Sequence, residues 1–354
     1  MKKRFLPMIM VLSVLMLLSS CTKFKAKAIK ETVGTIDVIV DPNVELMMII
    51  AHLGNAYGYD YIPTNDYLND VDEWFAPYVT DEITVFSQVL AYQRAPEFGM
   101  YLNINNNGFL IDSYNTNFTK SYSPEEIRNV YSKKNLNLIS KFRTESKFDE
   151  FFINHYDVYK KMIDDKIAEL KKLEIDKWLD DFYNKPLKEN VCLNLTYVSG
   201  NYGISFLKKD GTSIPHAVVL GNYSDANFTF LVAHEFSHPF TGDIVEKLYE
   251  DEGVKKVFDD LFSKYSETYT NNAYPSGLWV LNETFNQSCS YIFDEKVMTD
   301  EELQVCYEWT DNGEKFIYCS QIVEFLYNYE NNRSKYKTLD DFIPELKGFL
   351  ASLE

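Results

Sequence analysis

The segment His234-Glu235-Phe236-Ser237-His238 carries the densest chemistry in the chain. Two histidines four apart on a helix are surface neighbours, about 5–6 Å apart at Cβ, so both imidazoles can reach one metal ion. Zinc takes imidazole nitrogen at about 2.0–2.1 Å. Glu235 stands about 100° further round the helix, on the edge of the same face. It can take a proton from a water activated at the metal without being a ligand. The chain has only five histidines in 354 residues, so this spacing arises by chance on the order of 0.01 times. The simpler alternative is a histidine pair that only packs.

A catalytic zinc keeps three protein ligands and one open position. No histidine follows His238, so a carboxylate must complete the set. Glu283 is the best framed. Leu278, Leu281, Phe285, Cys289 and Ile292 recur with helical spacing around it, and Pro275 and Gly277 punctuate the start of that helix. Glu246, Glu250 and Glu267 compete for the role, and Glu283 can also be read as a solvated acid on an amphipathic helix.

The strand-like run His216 to Leu220, followed by a helix bearing H-E-x-x-H, resembles the core of the zincin metallopeptidases. There an edge strand above the helix pairs with the substrate backbone. Asn282-Glu283 on a second helix resembles the gluzincin branch, which implies Glu283 as third ligand, Glu235 as general base and a peptide or protein as substrate. The interval from His238 to Glu283 exceeds that of the aminopeptidase-type gluzincins, and the stretch from Trp279 to Glu283 has one residue more than their W-L-N-E. Where thermolysin-like enzymes place an aspartate that orients a zinc-bound histidine, this chain has Gln287; Asp243 is an alternative outer carboxylate. The resemblance also implies an oxyanion donor outside the motif. Tyr274 is the first candidate, with His216 and Tyr318 behind it. The likeness covers residues 216–292, and the whole chain resembles bacterial lipoproteins of unknown function that carry such a motif.

Positioning these groups requires a helix through the motif. Ser224, Asp225 and Asn227 offer caps, and Phe228, Leu231, Val232 and Phe236 supply the apolar spacing. Pro239 removes a backbone donor and disfavours α geometry at His238, so the helix is expected to end or kink there. Upstream, strands are predicted over 35–40, 191–198, 202–207 and 213–220, with a small hairpin at 100–104 and 108–111. Helices are predicted over 43–53, 66–93, 123–142, 146–171 and 173–184, and again after 226. The fold class is α+β and zincin-like, mostly helical with a small mixed sheet preceding the motif helix. The expected organisation is a lipoprotein signal peptide (1–20), a lipidated tether (21–32), an α-rich N-terminal region (33–190) and a zincin-like catalytic region (191–354).

Lys2, Lys3 and Arg4 precede a short apolar run, and Leu18-Ser19-Ser20-Cys21 reads as a lipobox. Cys21 would then be the lipidated first residue, anchored by acyl chains such as palmitate. Lys23, Lys25, Lys27 and Lys30 suit a tether near anionic headgroups. The expected location is extracytoplasmic, on the outer membrane if the cell is Gram-negative. A net charge of −18 argues against nucleic acid as a partner. At 45 % hydrophobic residues the chain is a packed globule rather than a disordered one. Cys192, Cys289, Cys306 and Cys319 can be bridges or buried thiols. The sequence thus predicts a membrane-anchored zinc metallopeptidase. The alternative is a catalytically silent zincin-fold lipoprotein that binds a peptide or protein partner.

Overall fold

The computed structural model describes residues 26–55, 65–87, 99, 102–104, 110–114, 132–187, 190–198, 202–207, 213–220, 225–272 and 274–353. The expected signal peptide and Cys21 lie outside them. Helices dominate and a five-stranded mixed sheet accompanies them, so the chain is α+β.

The sheet begins as a hairpin of β1 (Ile29–Val33) and β2 (Ile36–Val40). Gly34 in its turn has φ 52°, and a Cβ there would collide with the Asp176 side chain, so conformation and space both require glycine. β2 runs parallel to β5 (Val191–Leu195), β5 parallel to β7 (Ser213–Leu220), and β7 antiparallel to β6 (Tyr202–Leu207). The order is β1-β2-β5-β7-β6. Strands from before residue 190 therefore share one sheet with strands from after it. β7, which leads towards the motif helix, has a partner on each side, so the sheet edges are β1 and β6. The strand expected to lie open above the motif is an interior one. β3 (Leu102–Ile104) and β4 (Leu110–Tyr114) pair separately.

The N-terminal helices are α1 (Pro42–Leu53), α2 (Asp66–Phe75), α3 (Glu82–Ser87), α4 (Lys133–Glu145), α5 (Phe148–Asn154), α6 (Tyr156–Leu173) and α7 (Ile175–Tyr183). Asp41 starts α1 by accepting from the Asn43 and Val44 amides, with Pro42 in the first turn. Its run Leu46 to Ala51 is wholly buried, which accounts for an apolar stretch without a polar face.

α8 (Asp225–Tyr249) carries the motif and continues past Pro239, so it does not end there. Pro239 cannot give the bond that would close on the Glu235 carbonyl, at a cost of about 3 kcal/mol. Beyond it, Phe240, Ile244 and Leu248 are buried, each worth roughly 1.5–3 kcal/mol, so continuing the helix wins. The Ser237 and Thr241 hydroxyls bond back to the Ala233 carbonyl (2.7 Å) and the Ser237 carbonyl (3.3 Å), which lets the helix adjust around the proline.

The C-terminal part adds α9 (Glu252–Lys264), α10 (Ser266–Asn271), α11 (Gly277–Val297), α12 (Asp300–Glu308), a π-helical turn Trp309–Glu314, α13 (Cys319–Glu330) and α14 (Ile343–Leu350). α11 lies against α8, α9 and α13 through Val280, Leu281, Phe285, Cys289 and Ile292, all buried. The four cysteines among the described residues are unpaired thiols. Among the described residues no helix is long and apolar enough to cross a membrane.

Candidate metal centre

α8 and α11 bring the two histidines and Glu283 together. His234 Nε2 and His238 Nε2 are 3.2 Å apart, with the rings nearly perpendicular. Glu283 Oε2 stands 3.3 Å from His234 Nε2 and 3.7 Å from His238 Nε2. Three ligands at about 2.0–2.1 Å around one tetrahedral ion are separated by about 3.3 Å. The three donor atoms therefore outline one face of such a coordination shell, and this triad can hold a metal ion.

The surroundings favour a fixed geometry. Asn282 Nδ2 donates to Glu283 Oε1 (3.2 Å), leaving Oε2 for the metal side. Asn286, one turn beyond Glu283, donates from Nδ2 to the His234 carbonyl (2.7 Å) and accepts from Thr241 Oγ1 (2.9 Å). The two helices are thus tied by polar bonds within a dry contact. Gln287 donates to Ser290 Oγ (3.1 Å), and its amide is close enough to His234 to favour the protonated ring. That contact falls short of a hydrogen bond, since His234 Nδ1 is buried without an aligned partner.

Electrostatics separate the two acids. Burial pushes the Glu283 carboxyl up, but His238 and His234 beside it outweigh burial and hold it below its ordinary value. Burial pushes Glu235 up to about 7; His234 opposes this and Glu283 adds to it. The surroundings therefore favour the ionised form of one carboxyl and the protonated form of the other.

Tyr274, just before α11, is half-buried, and its hydroxyl feels Glu283, Glu314 and Glu235. Burial first, then these acids, keep it protonated. Glu314 closes the π-helical turn. Asn272 Nδ2 donates to its Oε2 (2.8 Å), and the Tyr274 hydroxyl acts on the same carboxyl. Glu314 also interacts with Glu283 and His234, and burial raises its carboxyl.

Other expected residues fall elsewhere. Asp243 is exposed and faces Lys185 Nζ at 3.7 Å, so it is not a buried acceptor for an imidazole. Glu246, Glu250 and Glu267 are exposed and outside the triad. Tyr318 packs edge-on against Phe258 and its hydroxyl feels Lys264, Tyr265 and Asp260, not the triad. His216 lies on β7, and its side chain is outside the described residues. Asn286 and Glu314 had no signal in the sequence: one is an interior amide on an apolar helix, the other an acid after a glycine with no motif around it.

Residues 36–348 match the family described as a domain of unknown function, DUF4932. The chain belongs to that family. The match spans the sheet from β2, both helices that carry the triad and the π-helical turn, so the triad of this DUF4932 chain lies inside the family's own domain. No curated protein and no solved structure matches the chain.

Proposed function

We propose that the protein is a zincin-like, zinc-dependent metallopeptidase, of gluzincin type, held to a bacterial membrane through Cys21. The single observation that carries the reading is the spacing of His234, His238 and Glu283, whose donor atoms stand 3.2, 3.3 and 3.7 Å apart on two tied helices. Two imidazoles and one carboxylate form a donor set suited to zinc, and they leave the fourth position open. A bound zinc supplies Lewis acidity that polarises a carbonyl and makes a nucleophile available at neutral pH. Glu235, one residue from the first ligand and raised to about 7, takes a proton from the attacking water and delivers it to the leaving amine. The Tyr274 hydroxyl, coupled to Glu235 and Glu283, donates to the developing oxyanion. Asn282 orients the Glu283 carboxylate by donating to its Oε1.

One observation favours a second reading, a silent zincin-fold protein that binds a peptide. Glu314 acts on the Tyr274 hydroxyl and would compete with an oxyanion for its proton. The test of function is the soluble chain, residues 22–354, assayed on a broad peptide library. About one zinc per chain, hydrolysis lost to a chelator and restored by zinc, is the expected result. Zinc bound with no turnover on any peptide would favour the binding reading; no zinc at all would remove both. Anchoring rests on the lipobox Leu18-Ser19-Ser20-Cys21. Cys21→Ser should release the protein from membranes and abolish labelling by a fatty-acid analogue.

A further inference from the structure

The triad is partly open to solvent: the side chains of His234, His238 and Glu283 are 14, 11 and 12 % exposed. The two helices that carry it show what lines the approach. In the first two turns of α11 the residues that are not buried are Leu278, Trp279, Asn282 and Glu283, a spacing that places them on one face. Trp279 is four residues before Glu283, so it stands one turn, about 6 Å, further along that face. It is 49 % exposed, and among the described residues its indole has no ring or hydrogen-bonding partner. One exposed tryptophan needs no explanation by itself. What lies across from it does.

α8 and α11 run antiparallel, because Phe230, one turn before His234, meets Tyr291, two turns after Glu283, at 6.1 Å. On the other side of the triad, the turn of α8 after His238 therefore comes alongside the first turn of α11. The residue there, four after His238 on the same face, is Gly242. A Cβ at Gly242 would meet nothing within 4 Å, and its backbone is not in the left-handed region. Neither packing nor conformation requires a glycine, although glycine weakens a helix interior relative to alanine. Gly242 and Trp279, each one turn beyond a ligand, thus bound a slot beside the metal position, with an indole for a wall and bare helix backbone for a floor. That backbone already bonds within its own helix, so neither side calls for a charged partner. An extended peptide advances about 3.3 Å per residue, so a side chain one or two residues from the bond at the metal reaches the slot.

We propose that Trp279 and Gly242 form a specificity subsite that takes a large apolar side chain, aromatic or branched aliphatic, of the peptide at the metal. The inference rests on the zinc peptidase reading for what lies at the metal, and the recognition can be measured without turnover.

The probes are acetylated dipeptide hydroxamates, whose hydroxamate chelates zinc and fixes the register, with phenylalanine, leucine, alanine or lysine at either position. Calorimetry on the zinc-loaded chain, residues 22–354, measures their affinity. At one of the two positions phenylalanine or leucine should bind at least about tenfold tighter than alanine. Trp279→Ala should remove that preference at unchanged zinc content, and Trp279→Phe should keep part of it. Gly242→Leu puts a side chain into the slot without striking the fold. Zinc content should persist there, while the phenylalanine probe loses its advantage and the alanine probe keeps its affinity. Equal binding of alanine and the large apolar probes at both positions, a preference for lysine, or a preference that survives either Trp279→Ala or Gly242→Leu overturns the proposal and leaves the peptidase reading in place. A preference that tracks Trp279 in a chain that hydrolyses no peptide overturns the peptidase reading and leaves the subsite. A chain that takes up no zinc overturns both.

Discussion

Asn286 Nδ2 donates to the His234 carbonyl oxygen across 2.7 Å, and this bond joins the helix carrying Glu283 to the helix carrying both histidines. Glu283 and the two histidines come from different helices, so their separation is set by how α8 and α11 sit together. Apolar packing alone tolerates small slips, whereas a directional bond beside the ligands does not.

Asn286→Ala is therefore expected to act on both fold and metal. It removes the shortest acceptor of the Thr241 hydroxyl, leaving the Ser237 carbonyl at 3.3 Å, and takes the second donor from the His234 carbonyl. Stability should fall by about 1–3 kcal/mol, and zinc should bind roughly 10–100-fold more weakly. Denaturant unfolding of the metal-free chain and competition with a zinc chelator measure the two effects separately. Unchanged zinc affinity in a destabilised variant would show that the bond serves packing only.

Glu235→Gln should separate binding from chemistry. The amide keeps the shape of the side chain but cannot accept a proton, so zinc content and fold persist while hydrolysis falls roughly 10²–10⁴-fold. Zinc analysis and steady-state rates on the best library peptide check this. Undiminished turnover would remove Glu235 from the mechanism.

The pattern of what was legible follows from what sequence spacing encodes. His234 and His238 share one helix, so their meeting follows from helical periodicity alone. Glu283 comes from another helix, and only the apolar stripe around it says which face points inward; α11 buries Leu281, Phe285, Cys289 and Ile292 of that stripe and Leu278 in part. Tyr274 was legible as a tyrosine close before Glu283, and it does feel the site's acids. Pro239 pointed to a break because local backbone chemistry is visible in sequence, while the burial of Phe240, Ile244 and Leu248 that overrides it is tertiary. The pairing of β2 with β5 joins segments separated by most of the N-terminal helices, and nothing local specifies such a register. Glu314 meets Asn272 through a turn with π geometry, for which no spacing rule was available.

Glu283→Ala and Glu246→Ala give a paired comparison of two acids. Glu283 sits within 3.3 Å of His234 Nε2, whereas Glu246 is exposed on α8. Loss of the Glu283 carboxylate should weaken zinc by at least about 10–100-fold and abolish hydrolysis. Glu246→Ala should do neither. Titration with a competing chelator decides, and the reverse ranking would sink the gluzincin assignment while leaving the two histidines in place.

Away from the metal centre, a buried acid sets an expected pH dependence of stability. Glu45 on α1 is fully buried; the Tyr67 hydroxyl donates to its Oε1 at 2.5 Å and bonds in turn to the Tyr159 hydroxyl at 2.6 Å. Burial pushes its carboxyl up to about 7 from 4.5, opposed by Thr196, Tyr67 and His155. The folded state thus holds a proton that the unfolded chain releases. The sign follows: the contribution to stability is fully present below pH of about 4.5 and is lost as pH rises to about 7, after which it is flat. A shift of that size corresponds to about 3 kcal/mol. Glu235, also raised to about 7 in the metal-free chain, contributes a slope of the same sign, so the comparison must be between wild type and Glu45→Gln. Urea unfolding at pH 5 and pH 8 should show wild type losing more stability over that interval than the variant, by on the order of 2–3 kcal/mol. Equal losses in the two proteins would mean that Glu45 is ionised in the folded state and stabilised there by its hydroxyl neighbours.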